Sequence, residues 1–149
     1  MSMNEEAEIS FRPLTSEDLR FIHDSWGSSI YKGTQIYKHL TPGEFHSFHR
    51  PARERFFQKA SSTVMIACPT VDPWLIAGWI AVEQIPTGII LHYIYVKSTF
   101  KGHHIATKLI QNVIKTEPIF FTAMTEQASK IIAKHSSFFR KYIYVPELT

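Results

Sequence analysis

Residues 91–106 read LHYIYVKSTFKGHHIA and contain two hydrophobic patterns in succession. As far as Val96 the segment is rich in β-branched and aromatic residues, which is typical of a buried strand. From Lys101 to Lys115 the apolar residues recur at helical spacing, which indicates an amphipathic helix. The segment therefore predicts a strand, a short loop and a helix.

Three short apolar runs, joined by turns, lead into and include this strand. They are Thr63–Cys68, Trp74–Gln84 and Ile89–Val96, and Pro69–Pro73 and Pro86–Gly88 lie between them. Proline, glycine and aspartate in such short connections favour tight turns. The runs predict an antiparallel meander.

The residues before the meander predict a strand followed by two helices. Glu8–Leu14 is the strand, and Thr15–Asp18 has the pattern of a capping box that begins a helix. Gly27–Gly33 is predicted to be a loop. Thr41 begins a second helical region, which we expect to be interrupted near Pro51.

The C-terminal part predicts strand, helix and strand in Ile119–Ala123, Glu126–Arg140 and Lys141–Val145. The whole order is β-α-α-β-β-β-α-β-α-β. It predicts one domain over residues 1–149, of the α/β (α+β) class, with a mixed, mostly antiparallel sheet of about six strands flanked by about four helices.

The composition argues against some classes of ligand and site. The net charge of +3 suits an anionic ligand but is not the dense basic character of a nucleic-acid-binding protein. The basic run Arg50, Arg53, Arg55 and Lys59 is predicted to be a solvated helix face. His39, His46 and His49 are predicted to be surface histidines rather than metal ligands, so no metal is expected.

The same composition predicts a location. A single cysteine, Cys68, excludes a disulfide framework. The acidic N-terminus lacks the order of a signal peptide, and the apolar run Trp74–Val82 is too short to cross a bilayer. We expect a cytoplasmic protein without membrane association.

The order of elements, together with residues 91–106, resembles the GCN5-related N-acetyltransferase (GNAT) superfamily. The family signature is Arg or Gln, two free positions, Gly, one free position, then Gly or Ala. Here Lys101–Ala106 stands at the signature, with Ala106 matching and His104 in place of the glycine. Phe100, four residues after Val96, matches the usual exit from the family's fourth strand.

The resemblance implies acetyl-CoA as co-substrate, held in a gap between the fourth and fifth strands. The first turn of a helix presents unpaired N–H groups and the positive end of the dipole, which suits a pyrophosphate. His104 restricts the approach of the phosphate if this position has a positive φ, but costs little if the position is helical. The candidate cofactor-binding residues are Ile94, Tyr95, Val96, Lys101, Gly102, His103, His104, Ile105, Ala106 and Thr107.

His92 is the candidate catalytic base, because a histidine stands at the equivalent place in the arylalkylamine N-acetyltransferases. Strand alternation predicts that its side chain lies on the same side as Ile94 and Val96, unless a bulge changes the phase. The alternative is a structural strand histidine. The family's usual acid, a tyrosine, falls on Phe139, which cannot donate a proton. The acid could instead be Tyr142, Tyr144, Ser136 or water. Of these, Tyr142 is our candidate.

Two functions follow from the resemblance. The first is transfer of an acetyl or short acyl group from acetyl-CoA to a primary amine of a small molecule or protein, by a monomer or homodimer. The second is a non-catalytic domain that binds acyl-CoA or a protein partner, favoured by His104 and Phe139. Aromatic and histidine residues between Ser25 and Arg55 would suit an aromatic or uncharged amine, but equally a dimer interface.

Overall fold

The computed structural model describes residues 8–115 and 118–122, positions 130 and 133, and the strand 142–144. Six strands form one sheet in chain order: β1 (Ile9–Pro13), β2 (Ser62–Pro69), β3 (Gly78–Ile85), β4 (Gly88–Val96), β5 (Ile119–Phe121) and β6 (Tyr142–Tyr144). The described α-helices are α1 (Leu19–Gly33), α2 (Pro42–Gln58) and α3 (Ile105–Val113). The predicted class, a mixed sheet flanked by helices, is confirmed.

The first four strands are antiparallel neighbours, whereas β4 and β5, and β5 and β6, pair in parallel. Parallel neighbours need a crossover connection, and α3 is the one between β4 and β5. The predicted meander is therefore present as β2, β3 and β4. The predicted helix Glu126–Arg140 lies outside the described residues, apart from Lys130 and Ala133, which are helical.

The sheet separates two hydrophobic cores. On one face α3 buries Ile105, Leu109 and Ile110 against the strands. On the other face α1 and α2 cover a second core that is rich in aromatic side chains, including Trp26 and Phe56. Burial of each large apolar side chain contributes about 1.5–3 kcal/mol to the free energy of unfolding, so the helices on both faces stabilise the sheet. None of the helices among the described residues is long and apolar enough to span a membrane.

The loop predicted at Gly27–Gly33 is wrong, because α1 continues to Gly33. Gly27 is buried where α1 meets α2. A Cβ at this position would lie 3.0 Å from Nη1 of Arg53 and 3.1 Å from the His46 ring. Close packing between the helices therefore explains the glycine, and it outweighs the low helix propensity that suggested a loop.

The interruption predicted near Pro51 is also wrong. Helix α2 begins with a reciprocal capping box, in which Thr41 Oγ1 accepts from the Glu44 amide at 3.2 Å and Glu44 accepts from the Thr41 amide at 2.9 Å. It runs through Pro51 to Gln58. Phe45 and Phe56 are buried on either side of the proline, and their packing offsets the lost backbone hydrogen bond.

Cys68 lies in β2 and is 1% exposed. Its Sγ donates to the carbonyl of Ser10 in β1 at 3.6 Å. Burial raises the pKa of the thiol, so it stays protonated and packs as a small apolar side chain.

Gly78 at the start of β3 allows α3 to approach the sheet. A Cβ there would lie 2.6 Å from the carbonyl oxygen of Tyr95 and 2.8 Å from Cγ2 of Ile105, the first residue of α3. The absence of a side chain therefore allows the beginning of α3 to lie beside the end of β4.

We expect Gly78→Ala to lower the free energy of unfolding by about 1–3 kcal/mol, because backbone and a buried isoleucine would have to move. Gly43→Ala is the matched control, since a Cβ at Gly43 meets nothing within 4 Å. Gly43→Ala should leave stability unchanged or raise it by up to about 1 kcal/mol. Urea unfolding of both variants measures the difference, and equal stabilities would contradict the close contact.

Candidate active site

The site is organised by a β-bulge in β4. In the register with β3, Ala81 lies opposite Tyr93 and Val82 lies opposite Leu91, so His92 is an extra residue with no position facing it. A bulge of this kind locally changes the alternation of side chains. Leu91 packs into the core under α3, whereas Tyr93 packs into the core under α1 and α2.

The bulge turns His92 toward α1 and α2. Its ring packs edge-on against Phe56 of α2, with centroids 5.1 Å apart. Ile94 and Val96 belong to the opposite core, under α3. The prediction that His92 shares a side with Ile94 and Val96 is therefore wrong, and the bulge is the reason.

His92 forms a buried pair with Glu83 of β3. His92 Nε2 lies 3.1 Å from Glu83 Oε1, and the two side chains are 11% and 10% exposed. Lys59, at the end of α2, places Nζ 3.4 Å from the same carboxylate oxygen. Because an ionised carboxylate only accepts hydrogen bonds, the ring proton is inferred to be on Nε2, which leaves Nδ1 as an acceptor. Thr122 Oγ1 lies 3.4 Å from Nδ1.

The protonation state of His92 follows from its burial. Burial lowers the pKa of His92 more than the hydrogen bond and negative charge of Glu83 raise it. A pKa below the usual value of about 6.5 leaves the imidazole neutral at pH 7. A neutral imidazole with a carboxylate at one nitrogen, and only a long contact to the Thr122 hydroxyl at the acceptor nitrogen, is the arrangement of a general base.

His92 directly follows Leu91, the last residue of β4 that pairs with β5. The parallel pairing ends at Leu91 opposite Phe121, and the amide of Thr122 donates to the Leu91 carbonyl at 3.3 Å. Beyond this point Ile94–Val96 pair with β3 on one side. On the β5 side, no strand in the described part of the chain pairs with them. Their outward backbone groups form a polar edge that a ligand can pair with.

A cavity of about 440 Å³ lies between this part of the sheet and the two N-terminal helices. Its walls include His92, Glu83 and Thr122 from the sheet, with Trp26 from α1 and Phe56 from α2. The volume is in the range of small-molecule sites, and the mixture of aromatic walls with a few polar groups is typical of them.

The loop before α3 connects the end of β4 to that helix. The predicted helix begins later than expected: Lys101–His104 form a turn, and the first intrahelical bond runs from the Lys108 amide to the His104 carbonyl, at 3.0 Å. Lys101 and Gly102 are exposed. His103 is half-buried, with a buried Nδ1 that has no hydrogen-bond partner. Gly102 has a φ of 88°.

His104 is the only non-glycine residue with a positive φ in the described part of the chain, at φ 57° and ψ 33°. Of the two alternatives for this position, the left-handed one is therefore correct. An L-residue pays about 1–2 kcal/mol there that glycine does not, although histidine tolerates it better than most.

No protein-family model and no curated protein matches the sequence. Solved structures do match its fold. One from Corynebacterium glutamicum, named histone acetyltransferase HPA2 and related acetyltransferase, has a TM-score of 0.61 at 14% identity, over 85% of this chain and 82% of that chain. The PaiA N-acetyltransferase of Thermoplasma acidophilum, solved in complex with coenzyme A, has a TM-score of 0.51 at 17% identity, over 87% and 74%.

This chain has the GNAT fold. The likeness extends to a transcriptional regulator from Bacillus halodurans, with a TM-score of 0.57 at 13% identity, over 88% of this chain and 91% of that chain. Against a structure from Desulfovibrio desulfuricans the chain spans 63% of that chain's length, with a TM-score of 0.46. At these identities the comparisons establish the fold, and the activity has to be argued from the site.

The candidate acid is located only by the backbone of β6. In the β5–β6 register, Tyr142 lies opposite Ile119 and Tyr144 lies opposite Phe121. Phe121 is the last β5 residue that pairs with β4 in the GNAT sheet. Tyr142 stays a prediction, and the register brings Tyr144 closer to the level of His92. Ser136 and Phe139 lie outside the described residues.

The sequence alone did not identify Glu83, Lys59 or Arg53 as site residues. Arg53 was predicted to be solvated with its basic neighbours, but it is 5% exposed and lines the cavity, so that prediction is wrong for this residue. His49 is also wrong as a surface histidine, because it is half-buried and bonded to Arg53. Glu83 is the single acid in a mostly apolar strand, and a buried acid is uncommon without a partner. This pattern is the sequence feature that could identify it.

We expect His104→Gly to raise the free energy of unfolding by about 1 kcal/mol, because glycine adopts the left-handed conformation without steric cost. His104→Ala is the control, since it removes the same ring but keeps the Cβ that causes the strain. Chemical denaturation of the three proteins tests the assignment. It would be wrong if the alanine variant were as stable as the glycine variant.

Proposed function

We propose that this chain is an N-acetyltransferase of the GNAT superfamily, which transfers an acetyl or short acyl group from acetyl-CoA to a primary amine. The observation that carries the proposal is the Glu83–His92 pair. It lies in the wall of the cavity at the point where β4 leaves β5. A buried, neutral histidine oriented by a carboxylate is suited to remove a proton from an amine.

The reaction has one bond formed and one broken at the acyl carbon. His92 Nδ1 takes a proton from the ammonium or from the attacking amine. The nitrogen lone pair forms the new C–N bond, the C–S bond breaks, and coenzyme A leaves as a thiolate that is then protonated. Glu83 stabilises the imidazolium through Nε2, and Lys59 contacts the same carboxylate oxygen. Tyr142 is the candidate donor to the thiolate.

The donor side of the site lies toward α3. The unpaired edge of β4 at Ile94, Tyr95 and Val96 is suited to the amides of a pantetheine arm. The turn Lys101–His104 and the first helical residues, Ile105, Ala106 and Thr107, would lie around the pyrophosphate at the positive end of the helix dipole. Two observations fit an anion there: the exposed Lys101 and the unpartnered Nδ1 of His103.

The second candidate function is a non-catalytic acyl-CoA-binding domain. The specific observation in its favour is the left-handed conformation of His104, where the family has a glycine. A side chain at this position narrows the approach of a phosphate to the backbone. The two functions share cofactor binding and differ in turnover, so they need separate measurements.

We expect acetyl-CoA to raise the melting temperature, because a ligand that binds only the folded state stabilises it by about 2.7 kcal/mol at one hundred times its dissociation constant. Lys101→Glu combined with His103→Glu should weaken coenzyme A binding but leave pantetheine, which lacks the pyrophosphate, nearly unaffected. Thermal shift and calorimetric titration measure both effects. Equal losses for the two ligands would remove the pyrophosphate from this helix terminus, and no shift at millimolar acetyl-CoA would reject both functions.

We expect His92→Gln to lower the rate of amine acetylation by about 10²–10⁴-fold while coenzyme A affinity stays nearly constant. In the wild type the rate should rise with pH through the His92 pKa. That pKa lies below its usual value, so the rise should be centred below about pH 6.5. The variant should lose this rise but keep any later rise caused by ionisation of the amine itself.

His39→Gln is the matched control for His92→Gln, because His39 is exposed on the segment before α2. It should have the wild-type rate and pH profile. Glu83→Gln removes a contact that raises the His92 pKa, so its rising limb should move to lower pH with a lower plateau. A His92→Gln enzyme with the wild-type profile would exclude His92 as the base and favour the non-catalytic function.

A further inference from the structure

Arg53 is a buried cation that forms no ion pair with any described residue. It extends from α2 toward α1 and is 5% exposed. Its Nε donates to Nδ1 of His23 at 3.1 Å, and its Nη1 bonds to Nδ1 of His49. The two imidazoles thus accept from two of the five N–H donors of the guanidinium. Neither imidazole carries a negative charge.

Both imidazoles are neutral at pH 7. Burial, together with the neighbouring Arg53 charge, lowers the pKa of His49 to about 3. The same two effects, in the same order, lower the pKa of His23. A histidine that accepts a hydrogen bond from arginine through Nδ1 cannot carry a proton on that nitrogen, so geometry and ionisation agree.

Burial lowers the pKa of Arg53, and the charges of Asp24 and Glu54 oppose this effect, but neither carboxylate forms an ion pair with Arg53. Asp24 pairs with Arg20 at 3.9 Å, and Glu54 pairs with Arg50 at 3.5 Å, both on the exposed surface. Among the ion pairs of the described residues, none includes Arg53. Removing a charge from water without a counter-charge costs several kcal/mol, even in a partly polar site.

The chain also makes room for this cation. Gly27 of α1 faces Nη1, and any larger residue would press a Cβ against it at 3.0 Å. Arg53 lines the same cavity as His92. A guanidinium held by two neutral acceptors, in a residue that lines a cavity, still has N–H donors for a carboxylate.

Among the described residues, the cavity wall carries three cations, Arg53, Arg55 and Lys59, and one acid, Glu83. Glu83 is already paired with Lys59 and His92, so an amine at this end would meet the neutral His92 rather than a free negative charge. Arg53 lies six residues before Lys59, about 9 Å along the α2 axis at 1.5 Å per residue, and Lys59 contacts Glu83. Phe56 packs against His92, Trp26 packs against His49 beside Arg53, and the rings of Phe56 and Trp26 meet edge-on with centroids 5.4 Å apart.

We propose that the cavity takes an acceptor that carries a carboxylate as well as its amine, with the carboxylate on Arg53 and the amine beside His92. A flat apolar spacer, such as one aromatic ring, fits the walls between them. The amine end rests on the proposed acetyltransferase function, whereas the carboxylate end is independent of it. The acceptor is thus a small amino acid-like molecule whose two charged groups are well separated, rather than an uncharged amine.

The test compares 4-(aminomethyl)benzoate with its neutral counterpart, 4-(aminomethyl)benzamide. The two probes have the same ring and the same amine, and only one has a carboxylate. In the wild type, calorimetry without acetyl-CoA should show about 10-fold to 100-fold tighter binding of the benzoate, the usual gain from a charge-assisted hydrogen bond. Equal affinity, or no binding of either probe at millimolar concentration, would overturn the proposal without needing any variant.

Arg53→Met should remove the preference for the benzoate, and Arg53→Lys should retain part of it, because lysine keeps the charge but not the planar fork. Arg50→Met is the matched control: it is on the same helix, its side chain is 71% exposed, and it should keep the full preference. Circular dichroism verifies that each variant is folded. If Arg53→Met fails to fold, the wild-type comparison and Arg53→Lys decide. An Arg53→Met protein that still prefers the benzoate would overturn the proposal.

Acetylation assays separate this proposal from the proposed function. A benzoate preference that depends on Arg53, in a protein that neither binds acetyl-CoA nor acetylates either probe, would support the carboxylate site and reject the transferase. Acetylation of the benzamide at the same kcat/KM as the benzoate would support the transferase and reject the carboxylate site.

Discussion

The additional residue in β4 determines how the rest of the site is arranged. With His92 inserted between two paired positions, its side chain and that of Tyr93 both lie toward α1 and α2, and the strand returns to regular alternation afterwards. The same irregularity comes where β5 stops pairing with β4. A buried histidine, its carboxylate partner and an unpaired strand edge are thereby brought to one place, although the residues come from different strands.

The two faces of the sheet have different chemical characters as a result. Toward α3 the end of β4 meets a helix start with exposed positive charge, brought close because Gly78 has no side chain. Toward α1 and α2 there is an aromatic cavity with an acid–histidine pair at the sheet and an arginine on the helix. The strained His104 on the first face costs stability where regular helix would have cost none, and such strain is most often found at functional positions.

Much of the fold could be predicted from the sequence, because the runs around 62–121 have clear periods and clear turns. The details of the site could not. Alternation gave the wrong side for His92, since a bulge leaves no mark in hydrophobicity. Gly27 suggested a loop because its low helix propensity is visible in the sequence and the arginine that packs against it is not. Arg53 was grouped with exposed neighbours on α2, and only the position of α1 shows that one member of a basic run is buried. The resemblance to the GNAT family points to His92 but not to its partner Glu83.

The buried thiol of Cys68 bears on how this protein can be studied. It is the only cysteine in the chain, and its low exposure and raised pKa keep it from reacting as a thiolate while the protein is folded. A chromogenic disulfide added to the native protein should therefore report sulfhydryl groups released from a thioester in solution, with little background from the polypeptide. The same reagent would begin to modify the polypeptide only when β1 and β2 separate, so one colour change can follow turnover in one experiment and loss of structure in another.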